Sequence, residues 1–243
     1  MDLQRPPPPF RADHVGSLLR PQPLKDAFRD FHAGRIGEAT FRALQDHCIR
    51  DAVALQEAVG LQAITDGEFR RGSWFGGFLE AVGGLTTKES LFEFHDAEGG
   101  RATFQTAYVE SKLRRARGIT TGEFSFIRDA TTRTPKVTIP APSLVHFFRG
   151  DDAVSRSAYA AADDFWSDLT GIYRDELQAL ADLGCRYVQL DEVPCAMLCD
   201  AQVRAVVAAR GMDPETLLET YLRVTTAIVT GRPFLMDALN EQA

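Results

Sequence analysis

Cys185–Leu198 reads CRYVQLDEVPCAML, and the order of its residues decides the fold. Tyr187, Val188 and Leu190 suit a strand, with Gln189 among them. Asp191 and Glu192 follow at once, and Pro194 cannot continue a central strand. A helical pattern precedes the run. Acidic side chains at the end of a buried strand are costly unless they have a task. In α/β proteins that end of the strand is where ligands bind.

The same order recurs toward the N-terminus. RADHVGSLLRP (11–21) reads as a short strand ending in a Gly-Ser turn, and LQAITDGEF (61–69) as an apolar strand ending in Asp66-Gly67-Glu68. Helical spacing covers 24–32 and 38–59, the second stopping at Gly60, and then about 155–183, 200–209 and 214–230. Asp213-Pro214 is a good N-cap and first-turn pair for the last of these. Between them, LFEFHDAEGGRATFQTAYV (91–109) alternates around Glu98-Gly99-Gly100 as a hairpin does. ITTGEFSFIRDAT (119–131) reads as a further β-rich stretch, and PKVTIPAPSLVHFF (135–148) as a strand broken by Pro140 and Pro142.

Parallel strands are therefore expected near 12–16, 62–66, 118–124, 136–140 and 186–190. The fold class is α/β, of the (β/α)8 barrel type but incomplete, with about five of eight βα units and an inserted β-hairpin. The first ten residues form a proline-rich arm, expected to be extended, and 11–243 form the barrel domain.

A net charge of −7 over 243 residues gives no electrostatic support for nucleic-acid binding. Basic residues do cluster at Lys112, Arg114, Arg115 and Arg117, but acidic residues flank them. No apolar run approaches the ~20 residues of a membrane span, and the N-terminus lacks the apolar centre of a signal peptide. Cys48, Cys185, Cys195 and Cys199 fit no disulfide framework, so the expected compartment is the cytoplasm. Cys195 and Cys199 have a spacing that could chelate a metal, yet no paired Cys/His motif accompanies them.

Three groups stand at strand ends: His14 with Val15, Gly16 and Ser17; Asp66-Gly67-Glu68; and Asp191-Glu192. Brought together, the carboxylates would take an ammonium, while Ser17 and backbone N–H groups would take a carboxylate, so that a zwitterion is held. The ordinary alternatives are that Asp191 caps the next segment, that Glu68 pairs with Arg70 or Arg71, and that His14 is simply hydrogen-bonded in place.

RADHVGSLLRP, ITDGEFRRGSWFGGF (64–78), KVTIPAPS (136–143) and YRDELQALADLGCRYVQLDE (173–192) resemble, in this order, the catalytic domain of cobalamin-independent methionine synthases, above all their short bacterial forms. The resemblance implies a (β/α)8 barrel that binds zinc and homocysteine and moves a methyl group from a folate to the thiol. By position it assigns Val15-Gly16-Ser17 to the amino acid's carboxylate, and Glu68 and Asp191 to its amino group. Phe147 falls about where the family places a tryptophan against the folate, and Trp74 is an alternative stacking surface.

In that family a His-x-Cys pair follows a GRP-like segment, and later strands add a Glu and another Cys as zinc ligands. TGRPFLMDALNEQA (230–243) brings none of these: the last histidine is His146 and the last cysteine Cys199. The expectation is a chain with no zinc ligands, inactive alone and liable to self-associate through unpaired strand edges. The competing readings are a non-catalytic barrel fragment or binding partner, and a related barrel enzyme acting on another thiol or on a porphyrin carboxylate.

Overall fold

Residues 13–92, 94–95 and 101–231 are described by a computed structural model; the proline-rich arm, the Glu98-Gly99-Gly100 turn and residues 232–243 lie outside the described residues. The expected helices form where apolar spacing and end signals agree. α1 (Gln22–His32) starts behind Pro21. α2 (Glu38–Ala58) buries Phe41, Ile49 and Val53 on one face and ends at Gly60, whose φ of 91° is open to glycine.

β1 (Ala63–Ile64) follows, then α3 (Gly76–Ala81) and a two-stranded antiparallel ribbon, β2 (Val82–Glu89) against β5 (Gln105–Arg115). Between the ribbon strands, β3 (Phe94–His95) pairs with β4 (Arg101–Ala102), in agreement with the expected hairpin. The remaining elements are α4 (Thr121–Ala130), β6 (Thr134–Pro140), α5 (Leu144–Phe147), α6 (Ala162–Asp182), β7 (Tyr187–Asp191), α7 (Val193–Met197), α8 (Ala201–Ala209) and α9 (Pro214–Val229). Asp213 caps α9 through Thr216 N.

β1, β6 and β7 form a parallel sheet in that order, with Ile64 opposite Pro135 and Thr138 opposite Gln189. The extended segment 13–18 runs beside β1 through a single parallel bridge, Ser17 to Gly67, and Leu18 N donates to Gly67 O. Three expectations need correction. Residues 118–124 do not form a strand: most of that stretch belongs to α4, because buried Glu176 accepts the N–H groups of Ile119 and Thr120 and so fixes where the helix starts. In place of the strand expected near 12–16, the described residues 13–18 form a segment whose one bridge is at Ser17. The long helix begins at 162, after a short 3-10 turn (Gly150–Ala153) and loop. The five expected parallel strands are thus three strands and one bridged segment among the described residues.

The sheet curls strongly. Although β1 lies between them, segment 13–16 meets side chains of β6 and β7: Lys136 Nζ donates to His14 O, and Tyr187 OH to Asp13. Alternation places Lys136, Thr138, Tyr187, Gln189 and Asp191 on the concave face. Val137 and Ile139 point the other way, into a buried core shared with Ile127 of α4 and with Leu169, Ile172 and Leu177 of α6. No helix among the described residues is long and apolar enough to cross a membrane.

Candidate functional site

Among the described residues, the DGE turn holds the one non-glycine residue with positive φ. Glu68 has φ 61°, the left-handed region that side chains rarely adopt. Asp66 Oδ1 accepts Glu68 N at 2.8 Å, an Asx turn that holds the reversal in place. The turn delivers the Glu68 carboxylate to β6, where Thr138 Oγ1 donates to it at 2.7 Å.

Arg71 organises what surrounds it. Its guanidinium is buried, donates to both carboxylate oxygens of Glu123 (3.0 and 2.5 Å) and to Thr138 O, and lies 3.4 Å from Glu68 Oε1. Burial works against the Arg71 charge, and Glu123, with Asp66 and Glu68, more than offsets this, holding the group above its ordinary value. The expected alternative of a Glu68–Arg71 pair is thus present. Glu123 is the partner that residue patterns missed, because it lies on the helix read as a strand.

Carboxylates crowd around Arg71, and the other cations near them, Arg70 and Lys136, are bonded to Asp46 and Asp13. Burial pushes Asp66, Glu68, Glu123 and Asp191 above the ordinary carboxylate range, with Arg71 opposing the rise in each case. Asp66 Oδ2 is buried without a hydrogen-bond partner. Asp191 and Glu68 are near enough for Asp191 to raise Glu68 further. Such a set favours either protons or a cationic group placed among the carboxylates.

The two carboxylates of the opening stretch divide their tasks. Glu192, beyond the strand, accepts from Cys195 N at 3.1 Å as the N-cap of α7 and from Ser143 Oγ at 2.6 Å. Asp191 does not cap: it stays on the concave face, where Gln189 Nε2 donates to its Oδ1 at 2.6 Å.

His14 braces the turn beside them. Gly16 N donates to its Nδ1 at 3.2 Å, which leaves Nε2–H to meet Gln56 Oε1 at 3.1 Å. Val15 is 67% exposed, Gly16 is buried and Ser17 is exposed at the bridge to Gly67. The turn therefore borders Glu68 directly, and Gln189 ties Val15 O to Asp191. Trp74 is half-buried and edge-on to Phe75. Phe147 is fully buried and stacked on Phe92 at 5.0 Å.

The donor set for zinc is not found among the described residues, where no group of three His, Cys, Asp or Glu side chains converges to hold a metal. Burial, with Glu192 next, pushes Cys195 up to about 12, and burial pushes Cys185 to about 11, so neither offers a thiolate at neutral pH. The described residues do not fit the metal.

Compared with known proteins, residues 10–210 match the family described as cobalamin-independent synthase, catalytic domain. The chain belongs to the cobalamin-independent methionine synthase family. It is 34% identical to the Bacillus subtilis protein YxjH over 228 residues, which is 93% of this chain and 59% of that protein. A methyltransferase from Syntrophotalea carbinolica, named for 5-methyltetrahydropteroyltriglutamate and homocysteine, is 29% identical over 73% of this chain and 22% of its own length. The crystal structure of a Listeria monocytogenes protein, described as a B12-independent methionine synthase, superposes with a TM-score of 0.73 at 33% identity, over 93% of this chain and 62% of that one. The chain thus spans about three fifths of the length of its nearer family members, YxjH among them.

Proposed function

We propose that this region forms the amino-acid-binding part of a methyltransferase site of the methionine synthase type, and that its curled sheet is part of a (β/α)8 wall. The substrate class is a thiol amino acid resembling homocysteine. Its ammonium would sit between Glu68 and Asp191, and its carboxylate at Val15-Gly16-Ser17. A folate-type methyl donor follows from family membership, without support from Phe147.

The carrying observation is the charge imbalance: four carboxylates pushed upward by burial around the Arg71 guanidinium, while the nearby cations Arg70 and Lys136 are bonded to Asp46 and Asp13. A buried carboxylate excess is unfavourable until a cation or protons reach it, and a ligand ammonium supplies that charge at neutral pH. Glu123 already engages Arg71 through two bonds and Asp66 is enclosed behind the turn at 3% exposure, so Glu68 and Asp191 are the carboxylates proposed to meet the ammonium. The turn next to Glu68 adds an exposed hydroxyl, Ser17, at the same mouth.

Calorimetry with L-homocysteine and with N-acetyl-homocysteine tests the reading. The free amino acid should bind, and the acetylated one, which has no ammonium, should not. Equal binding of the two, or loss of binding on substituting Ser17 but not Asp191, would overturn the ammonium site.

A further inference from the structure

Gln189 is the one amide on the concave face of β7, in a strand otherwise suited to apolar or aromatic residues. Its Nε2 carries two hydrogens, and both have acceptors: Val15 O at 2.8 Å and Asp191 Oδ1 at 2.6 Å. The orientation of the amide follows from those acceptors, since the flipped form would set Oε1 against two oxygens. On the neighbouring strand its direct partner is Thr138, which carries the hydrogen bond to Glu68. Two adjacent cross-strand residues thus each hold one of the two carboxylates proposed for the ammonium.

We propose that Gln189 is a positioning residue that couples the Val15-Gly16-Ser17 turn to Asp191, fixing the carboxylate's height and rotation relative to the turn. The inference deepens the amino-acid reading and rests on it for its ligand. The two ends of a zwitterion must be met at a set separation, and a side chain hydrogen-bonded to both receiving elements sets it. Segment 13–15 is also bonded to the β6–β7 face through Lys136 and Tyr187, the cross-strand pair that precedes Thr138 and Gln189. The charged groups facing Asp191 are Arg71 and Lys136, which favour its ionised form, and Glu68, which stands against it. Donation from Gln189 adds to the first effect, and burial opposes both.

Carboxyl and side-chain amide NMR on the intact chain tests the coupling without any ligand. In the wild type, the Gln189 amide resonances should shift with the titration of Asp191, which Asp191→Asn identifies. In Gln189→Met, of similar volume, Asp191 should titrate at higher pH, and in Gln189→Glu higher still, because a donor is replaced by a second carboxylate. L-homocysteine affinity should fall roughly tenfold in Gln189→Met, the loss of one hydrogen bond to a charged group. A purely structural amide would lower the melting temperature and leave Asp191 where it was. Wild-type amide signals that ignore Asp191, or an unchanged Asp191 titration in Gln189→Met, would overturn the coupling. If the wild type fails to bind L-homocysteine while the NMR coupling holds, the substrate reading falls and the positioning role stands.

Discussion

Gly16 is where the curl of the sheet can be tested by one atom. Its φ is 118°, and a Cβ built there would lie 2.4 Å from Thr138 Cγ2, with Thr138 Oγ1 and Cβ at 3.5 and 3.6 Å. Carbon atoms in good contact stand ~3.5–4.0 Å apart, so Gly16→Ala requires a shift of more than an ångström between the 13–18 segment and β6. Overpacking of this kind costs about 1–3 kcal/mol, and a strained backbone conformation adds about 1–3 kcal/mol. The expected loss is about 2–6 kcal/mol, a large part of the ~5–15 kcal/mol that holds a domain together. At ~2–4 °C per kcal/mol for a chain of this size, the melting temperature should fall by about 4–24 °C.

The companion change is Thr138→Ser. It removes Cγ2 and keeps the Oγ1 that serves Glu68 and Arg71, at about 0.8 kcal/mol for the lost methyl. In the double variant the steric part is relieved and the backbone part remains. A double-mutant cycle by urea denaturation should show about 1–3 kcal/mol of favourable coupling. Additivity within 0.5 kcal/mol, or a Gly16→Ala variant as stable as the wild type, would refute the close approach of the turn to β6 and with it the shape of the site.

Further expectations follow from the charges. Glu123→Gln breaks the two-bond pair with buried Arg71 and should cost about 3 kcal/mol in denaturant titration, whereas Glu68→Gln should stay within about 1 kcal/mol of the wild type while abolishing L-homocysteine binding. Because burial raises Asp66, Glu68, Glu123 and Asp191, the stability they contribute is full below the ordinary values of 3.8 and 4.5 and is lost as pH rises through the folded values. A bound ammonium lowers those values, so L-homocysteine should bind with proton release and raise the melting temperature more at pH 7 than at pH 5; the reverse order would tell against the ammonium site. Lys136, fully buried and bonded to Asp13 and His14 O, should cost about 1.5–3 kcal/mol when changed to Met. The same variant should move Asp13 upward, since burial raises that carboxylate while bonds from Tyr187, His14 N and Lys136 hold it below its usual value; an unmoved Asp13 would deny the contact.

Local signals in the sequence determined the helices and their ends. Apolar spacing marked α1, α2, α8 and α9, and Gly60, Asp213 and Pro214 marked the stops and starts, because capping involves residues only a few positions apart. The strand ending at Asp191 and the DGE turn were legible for the same reason. What only the tertiary structure decided depends on partners far along the chain. ITTGEFSF carries the β-branched and aromatic residues of a strand, but Glu176, 57 positions after Ile119, takes its first N–H groups and starts a helix. That helix brings Glu123 to Arg71, so the charge balance of the site was hidden along with it. Lys136, on the strand expected at 136–140, is buried against Asp13, 123 residues earlier, a pairing that no local pattern shows. Between neighbours at 191 and 192, the choice of cap turned on strand alternation: Asp191 lies inward on the last residue of β7, and Glu192, one step past it, is free to cap. Periodicity reports where a backbone repeats; which charges then meet is settled by the curl of the sheet.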